Sequence, residues 1–257
     1  MPLISVVMPA FKGEGFIKEA IESIQIQTLG DWELWVIDDF SPDRTVEIVH
    51  SISKNDARVR LLRNVENLGP LVSRNIALEG AEGRFVAFLD QDDVWLRGKL
   101  KMQLDFMLAG NIGVSFTSWR RMTPNGLRQG RVINAPTKYG LRELNRNTGV
   151  ALSSCMIDRK IVGEPKFADV RPFTEYEFYQ RMFQRGIIAQ GLRVDLLRYR
   201  VSSGGISYNK AKMARMVWDN FRRKGKLPFA SAVYCFLNYA ALGVLRNFDR
   251  LREPRTD

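Results

Sequence analysis

The stretch FLDQDDVW, residues 88–95, ends an apolar run and places Asp90, Asp92 and Asp93 within four positions. Ionised carboxylates this close together repel one another, and each raises the pKa of its neighbours. A divalent cation relieves that repulsion and offers a counter-charge to phosphate oxygens. A D-x-D triplet alone is common by chance, and a solvated acidic turn is the alternative interpretation. Because the triplet follows a strand-like run, the stretch predicts a sheet with a polar site where a strand ends.

Outward from this stretch, strand-like and helix-like segments alternate. Segments rich in β-branched and aromatic residues predict strands at about Leu3–Met8, Glu33–Ile37, Val59–Leu62 and Arg84–Leu89. Between them lie the helix-like segments FIKEAIESIQIQ, DRTVEIVHSI and PLVSRNIALEGA. The strands are nearly continuous in apolar residues, which is typical of strands buried on both faces. The pattern predicts an α/β fold with a Rossmann-like, mostly parallel sheet and helices on both faces.

Three polar segments follow the predicted strands. They are PAFKGEG, DDFSPD and DQDD. Ligands of such sheets bind in the crevice outside the carboxyl ends of the strands. We therefore expect the three segments to meet in one open crevice, with Asp92 and Asp93 accessible in it.

The second half of the chain is less regular. A strand is predicted at about Gly113–Trp119, with a turn at TPNG and a helix after Thr137. Three more helices are predicted at about Glu175–Gln184 (closed by Gly186), Lys210–Lys224 and Ala230–Phe248.

Composition limits the class of protein. The chain has 257 residues, of which 45% are hydrophobic and 26% charged, so it can build a core. Its two cysteines indicate neither a disulfide framework nor a cysteine metal site, and the absence of a signal peptide predicts a cytoplasmic protein. The net charge of +11 suits a nucleic acid, an anionic membrane surface or a phosphorylated substrate, or only a solubilising surface. Aromatic residues are not interleaved with the basic ones, so nucleic acid is not an expected partner.

Several common sites do not fit the sequence. No G-x-x-x-x-G-K-[ST] loop occurs, and Lys18 stands where a dinucleotide fingerprint needs its third glycine. The only histidine, His50, lies in a predicted helix, so no Ser-His-Asp arrangement can be built. A P-loop NTPase, a dehydrogenase and a serine hydrolase are therefore not expected.

The motifs SVVMPAF, IESIQIQT, WELWVIDDFSPDRT, NLGPLVSRNIAL and GRFVAFLDQDDVWLRGKL resemble those of family-two glycosyltransferases of the GT-A fold. The resemblance is strong over residues 3–105 and weaker to about residue 207, and the most similar members are bacterial enzymes that assemble surface polysaccharides. It implies a GT-A domain at 1–207, with a nucleotide-sugar-binding half at 1–105 and an acceptor half at 106–207. A basic amphipathic helical extension then occupies 208–257.

The resemblance also implies roles for individual residues. A uracil base would be held by Pro9, Phe11 and Asp39, with Arg74 close by. Asp92 would reach the ribose. Asp93, with Asp90 or through water, would hold Mn²⁺ or Mg²⁺ on the diphosphate.

Family members of this type invert the anomeric centre, using an acidic residue as the base. In the matching stretch FTEYEFYQRMFQRG, Thr174 and Glu175 stand where the family has Glu and Asp. Glu175 is the first candidate for the base, followed by Asp169 and Glu177. The alternative for Glu175 is an acidic residue favoured by the helix dipole.

The chain departs from the family pattern at two more places. Lys12 stands where many members carry Asn, and residues 201–205 lack a His that many members link to the metal or diphosphate. We therefore expect the metal to depend on the Asp cluster, the diphosphate and water, and Arg200 or Ser202–Ser203 to contact the phosphates.

The tail contains 19 uncharged residues, LPFASAVYCFLNYAALGVL, between Lys226 and Arg246. They are long enough to span a bilayer, but polar residues recur at helical spacing and basic residues flank both ends. We expect a helix in the membrane interface, peripheral on the inner face of the plasma membrane. Its apolar contacts would be Phe229, Val233, Phe236, Leu237 and Leu245, and its headgroup contacts Arg222, Arg223, Lys224 and Lys226. The alternative is a helix packed on the catalytic domain.

The predicted function is an inverting, metal-dependent glycosyltransferase of hexosyltransferase type. It would move a sugar from a UDP-sugar to a lipid-linked or glycan acceptor in bacterial surface polysaccharide synthesis. One alternative is a non-catalytic nucleotide-sugar-binding protein. Another is a sugar-phosphate nucleotidyltransferase, although the Gly-rich, Arg-containing loop usual after its first strand is missing.

Overall fold

The structure is a computed structural model that describes residues 1–146, 150–168, 175–201 and 210–247. Its strands are β1 Ile4–Ala10, β2 Trp32–Asp38, β3 Val59–Arg63, β4 Phe85–Phe88, β5 Val94–Trp95, β6 Val114–Met122, β7 Lys138–Tyr139, β8 Cys155–Asp158 and β9 Ala189–Arg200. Its helices are α1 Ile17–Gln25, α2 Thr45–Ser53, α3 Pro70–Gly80, α4 Lys99–Gly110, α5 Leu141–Arg146, α6 Arg159–Val162, α7 Glu175–Gln184, α8 Lys210–Asp219 and α9 Phe229–Asn247. A π-helical turn, Asn220–Lys224, continues α8.

One sheet contains all the described strands, in the order β3-β2-β1-β4-β8-β6-β9-β5, with β7 paired to β9. The central strand β1 runs parallel to β2 and β4, and β2 runs parallel to β3. In the second half β6 and β9 are parallel to each other, whereas β8 is antiparallel to both β4 and β6. Most strands thus share one direction, and the predicted α/β fold with a mostly parallel sheet is confirmed.

Alternate residues of the central strands point into two separate cores. Val7, Ile37 and Phe88 face a cluster that includes residues of α3, α7 and α9. Met8 and Val36, their neighbours along the chain, face a second cluster that includes residues of α1 and α4. Because side chains alternate along a strand, a sheet with two apolar faces needs a helical layer on each. The prediction of helices on both faces is confirmed.

The edge strand β3 differs from the prediction that every strand is buried on both faces. Val59 is buried, but Leu62 is 44% exposed. β3 pairs only with β2 among the described strands. The prediction is wrong for this strand because it lies at the edge of the sheet, where one side meets solvent.

The long strand β9 was not predicted, and it places residues near position 200 against the segment that follows β4. It runs parallel to β6 with a register irregularity around Ser118, and its last residues pair with β5 just after the Asp cluster. Arg200, at the end of β9, therefore lies beside Asp93. Among the described helices, none is long and apolar enough to cross a membrane.

Lys99 is fully buried at the start of α4. Its Nζ lies 3.8 Å from the centroid of the Trp95 ring. Within the described residues, no hydrogen-bond acceptor reaches that Nζ. Burial lowers the pKa of Lys99 to about 7, and the nearby Cys155 opposes this shift only in part. The ammonium form of Lys99 therefore destabilises the fold.

We expect Lys99→Met to stabilise the protein by about 1–3 kcal/mol near neutral pH, the usual cost of an unsatisfied buried polar group. The pKa of Lys99 falls from 10.5 when unfolded to about 7 when folded, so the unfolded chain binds more protons between these values. The wild type therefore gains stability as pH rises through that window, and the advantage of Lys99→Met shrinks. Urea unfolding of both proteins at several pH values measures this.

Lys101→Met is the matched control, because Lys101 lies on the same helix but is exposed and pairs with Asp105. Its unfolding free energy should stay within about 0.5 kcal/mol of the wild type at every pH. Equal stability of Lys99→Met and wild type at neutral pH would contradict the assignment.

Candidate active site

Loops at the carboxyl ends of β1, β2 and β4 meet as predicted. The backbone N–H of Gly13 donates to Oγ1 of Thr45 at 2.8 Å, which ties the loop after β1 to the start of α2. The side-chain amide of Gln91 makes two hydrogen bonds with the backbone of Phe11. Its Oε1 accepts from the Phe11 N–H at 2.9 Å, and its Nε2 donates to the Phe11 carbonyl at 2.7 Å. A Cβ at Gly13 would overlap Oε1 of Gln91, so a larger residue here would displace the Gln91 amide from Phe11.

Asp39 is buried and organises the loop before α3. Its Oδ1 accepts from Nδ2 of Asn64 and from the N–H of Leu68, both at 2.8 Å. Its Oδ2 accepts from the N–H of Gly69 at 2.8 Å. Gly69 has φ +88°, a conformation suited to glycine. Asp39 therefore has a structural role that the sequence did not reveal, and its contact with uracil stays a prediction.

Two exposed aromatic rings, Phe11 and Phe40, lie on the loops after β1 and β2. Phe11 is 39% exposed and Phe40 49% exposed. Pro9, predicted with Phe11, lies within β1, where it is buried opposite Ile37. Phe40 was missed, although an aromatic residue directly after two aspartates at a strand end was a usable signal.

Backbone geometry explains one departure from the family pattern. Lys12 has φ +54°, in the left-handed region. Asn enters this region more readily than Lys because its short side chain can bond to the local backbone. The Asn that many family members carry here therefore fits the same loop conformation.

The three carboxylates of the Asp cluster differ in exposure. The side chain of Asp90 is 31% exposed and Asp92 is half-buried, whereas Asp93 is only 1% exposed. Oδ1 of Asp93 accepts from the backbone N–H of Arg200 at 2.9 Å. The prediction that Asp93 lies in an open crevice is therefore wrong, because the end of β9 covers it.

Burial raises the pKa of Asp92 to about 6, and the Asp90 carboxylate adds to the shift. Burial, with Asp92 and Asp90 nearby, raises the pKa of Asp93 well above its usual range. Among the described residues, no hydrogen-bond donor reaches Oδ2 of Asp93. A buried carboxylate oxygen without a donor, beside a second buried carboxylate, suits a hard cation.

The same cluster does not form a complete metal site by itself. Within the described ranges, no three His, Cys, Asp or Glu side chains are placed to hold a metal ion together. The carboxylates therefore fit a divalent cation that takes its other ligands from phosphate and water, as Mg²⁺ usually does.

The side chain of Arg200 donates hydrogen bonds to protein acceptors through Nε, Nη1 and Nη2. Its Nε donates to the carbonyl of Asp92 at 2.8 Å, and its Nη2 pairs with Oε2 of Glu19 on α1 at 2.5 Å. Its Nη1 donates to the carbonyl of Pro124 at 2.5 Å. The structure therefore gives Arg200 the task of fixing the Asp cluster, in place of the predicted phosphate contact. Ser202–Ser203 lie outside the described residues.

Arg74 joins the Asp cluster to the candidate base. It is 4% exposed, and its Nη2 lies 2.5 Å from Oδ1 of Asp90. Its Nη1 lies 3.9 Å from Oε1 of Glu175, at the start of α7. The guanidinium thus lies between a predicted metal ligand and the predicted base.

Burial raises the pKa of Glu175, with Arg74 opposing and Asp90 adding to the shift. Its side chain nevertheless keeps 42% of its surface exposed, so the carboxylate is accessible. Glu177 lies two positions along the helix and therefore faces another direction. Asp169 and Thr174 lie outside the described residues. Of the base candidates in the described ranges, Glu175 is the one beside the Asp cluster.

Known proteins resemble the chain in sequence. A family model described as Glycosyl transferase family 2 matches residues 5–164. TuaG of Bacillus subtilis (strain 168), described as a teichuronic acid biosynthesis glycosyltransferase, is 34% identical over 239 residues, 93% of this chain and 95% of that protein. WfgD of Escherichia coli, a UDP-Glc:alpha-D-GlcNAc-diphosphoundecaprenol beta-1,3-glucosyltransferase, is 34% identical over 245 residues, 95% of both chains.

Solved structures share the fold. S. aureus TarS in complex with UDP superposes with a TM-score of 0.65 at 21% identity, over 87% of this chain and 66% of that one. The mannosyltransferase PcManGT from Pyrobaculum calidifontis, in complex with GDP-Man and Mn²⁺, gives a TM-score of 0.68 at 16% identity, over 96% of this chain and 75% of that one. At these identities the likeness concerns the fold alone.

The family match covers more than half of the chain, and both relatives align along nearly their whole length. The resemblance found in the motifs is therefore confirmed. The chain belongs to glycosyltransferase family 2 and has the GT-A fold.

Proposed function

We propose that this protein transfers a sugar from a UDP-sugar to a lipid-linked acceptor, with inversion, in the synthesis of a bacterial surface polysaccharide. The observation that carries the proposal is the Asp90–Arg74–Glu175 arrangement, which joins the acidic donor crevice to an accessible carboxylate. The names of TuaG and WfgD support a surface polysaccharide and a diphosphate lipid acceptor. Family membership favours glycosyl transfer over the nucleotidyltransferase alternative.

The loops after β1 and β2 supply groups that suit uracil. Phe11 is exposed at the crevice and can lie against the face of a base. Oδ2 of Asp39 accepts one hydrogen bond, from Gly69, and a carboxylate oxygen has a second lone pair for the N3–H of uracil. Pro9 fixes the end of β1 just before Phe11. The UDP-Glc in the name of WfgD supports a uridine donor.

Asp93 and Asp90 are the residues that would hold Mn²⁺ or Mg²⁺, with Asp92 near the ribose. The cation would supply a counter-charge for the diphosphate leaving group. The protein prepares this site by burying Asp93 and by fixing the loop through Arg200.

Glu175 acts as the general base in the proposed reaction. It takes the proton from an acceptor hydroxyl as that oxygen forms a bond to C1 of the donor sugar. The bond between C1 and the diphosphate oxygen breaks on the opposite face, so the configuration at C1 inverts and UDP leaves. The raised pKa of Glu175 makes it a better proton acceptor than an ordinary carboxylate.

Contact with an anionic membrane surface would bring the enzyme to a lipid-linked acceptor. α9 exposes Phe229, Tyr234 and Leu237, which are 64%, 52% and 63% exposed. Its other side packs on the protein, because Ala232 and Cys235 are buried. α9 therefore combines the two alternatives drawn from the sequence: one face packs on the domain and the other is open to an interface.

Not every predicted membrane contact is on the open face. Phe236 packs edge-on against Trp218 with ring centroids 5.6 Å apart, and Val233 is half-buried. The side chains of Leu245, Arg223 and Lys224 lie outside the description. Arg222 and Lys226 are exposed and keep their predicted role beside headgroups.

Glu175→Gln should keep UDP binding but lose sugar transfer by roughly 10²–10⁴-fold, because the amide cannot accept the proton. UDP-sugar turnover with a lipid-linked acceptor, and UDP titration of the same preparation, measure the two properties. Glu177→Gln is the matched control on the same helix and should transfer at the wild-type rate. Full activity of Glu175→Gln together with an inactive Asp169→Asn would move the base to Asp169.

Asp93→Asn should lower the affinity for UDP in Mn²⁺ toward the value measured without metal, because the cation loses a negative partner. Asp92→Asn should lower it as well, because the ribose contact and a negative charge beside Asp93 are lost. Calorimetric titration of UDP with and without Mn²⁺ tests this. Since Asp93 is buried, thermal unfolding of Asp93→Asn should accompany the titration. Asp105→Asn, on the exposed face of α4, is the control. A metal response that survives in both cluster variants would show that the cluster is only an acidic turn.

The protein should float with anionic vesicles at low salt and dissociate at high salt. Phe229→Ser/Leu237→Ser should reduce flotation without unfolding the protein, because both side chains are exposed. Leu108→Ser/Leu127→Ser, at sites 49% and 71% exposed elsewhere on the surface, should float like the wild type. Equal flotation of the two double variants would contradict the role of α9.

A further inference from the structure

A cavity of about 450 Å³ lies between α5 and α9, apart from the candidate active site. Arg142, Asn145 and Arg146 of α5 line one side. The other side is formed by α9 and the segment before it, including Leu227 and Tyr234. None of these residues has a part in the proposed donor site or in proton transfer.

The cavity is basic. Arg142 and Arg146 are four positions apart on α5 and so share one face of the helix. No carboxylate lines the cavity, and neither arginine is ion-paired within the described ranges. The guanidinium of Arg146 lies 5.8 Å from the centroid of the Tyr234 ring. Two exposed guanidinium groups side by side suit the oxygens of a phosphate or diphosphate.

The wall opposite the arginines is largely apolar. Leu227, Ala230 and Cys235 contribute to it. Leu237 lies seven positions after Ala230, so it extends the same face of α9 beyond the cavity, where it is 63% exposed. The site thus combines a cationic end with an apolar surface that leads outward. This combination suits an anion attached to an apolar chain.

One tyrosine connects the cavity to the candidate base. Tyr176 directly follows Glu175, and its hydroxyl donates to Oδ1 of Asn145 at 2.5 Å. Its ring packs edge-on against Phe221, with centroids 6.0 Å apart, which holds the side chain in place. Tyr176, which is 4% exposed, therefore ties the start of α7, where Glu175 lies, to the α5 side of the cavity.

We propose that the α5–α9 cavity binds the phosphate head of the lipid-linked acceptor. Arg142 and Arg146 bind the diphosphate, and the apolar face of α9 takes the first part of the lipid chain. The sugar attached to that phosphate then lies toward the start of α7, the end of the helix that carries Glu175. This inference rests on the proposed function, which it deepens by assigning an acceptor subsite.

Farnesyl diphosphate, an apolar chain that carries a diphosphate, is the probe. It is titrated calorimetrically into the full-length protein with saturating UDP, so that the donor crevice is occupied. Arg142→Gln/Arg146→Gln should bind it at least about tenfold more weakly, because two charge-assisted contacts are lost. Ala230→Trp keeps both charges but fills the cavity, and it should weaken binding as well. Both variants should bind UDP like the wild type.

Lys54→Gln/Arg193→Gln removes the same charge from exposed positions outside the cavity and should leave farnesyl diphosphate binding unchanged. Inorganic diphosphate should bind far more weakly than the lipid; equal affinity would make this a site for free phosphates and overturn the proposal. Unchanged affinity of Arg142→Gln/Arg146→Gln for farnesyl diphosphate would also overturn the proposal. This holds whether or not the variant floats less with phosphatidylglycerol vesicles. UDP binding by the wild type is measured separately. A wild-type protein that does not bind UDP would overturn the proposed function. A wild-type protein that binds UDP but not farnesyl diphosphate would overturn the acceptor subsite alone.

Discussion

Repulsion among buried carboxylates is the constraint around which this protein is arranged. Asp90, Asp92 and Asp93 follow β4 directly, and like charges out of water disfavour ionisation. Two of the three carboxylates are bound by groups from different elements. Arg74 of α3 pairs with Asp90, and the last backbone N–H of β9 binds Asp93. These contacts join α3, the loop after β4 and the end of β9 at the place proposed to receive a negatively charged nucleotide.

The same principle, a carboxylate held by backbone and basic groups, recurs beside the cluster. Oδ2 of Asp38 accepts from the N–H of Ser41 at 3.0 Å and lies 3.3 Å from Nε of Arg63. Asp39 holds the loop before α3 in a similar way. The crevice is therefore built from loops that are individually tied down. Such loops lose little further conformational entropy when a ligand binds, which favours affinity.

Local patterns predicted what depends on local physics. The elements β1 to β4 and α1 to α3 were predicted within a few residues, because β1, β2 and β4 are apolar on both faces and the helices between them are amphipathic, whereas β5 and α4 were not predicted. α7 was predicted at its observed bounds, since Glu175 begins and Gly186 closes a clear helical pattern. The strand β9 was missed because AQGLRVDLLRYR mixes charged and apolar residues without clean alternation. The burial of Asp93 was missed because Arg200, the residue that covers it, is 107 positions away in the sequence. The roles of the Asp cluster, Asp39 and Glu175 stay predictions, while the position of Arg74 between Asp90 and Glu175 required the structure.

The bond between Arg200 and Asp93 spans 107 positions of the chain. During synthesis, β1 to β4 can pair as soon as the first ninety or so residues are available, because their contacts are close in sequence. The Asp cluster stays without its partner until β9 has been made, and closing so long a loop is slow compared with local pairing. The Asp cluster is consequently expected to mature after the sheet formed by β1 to β4, and a chain that stops before Arg200 has that sheet without the backbone contact that holds Asp93.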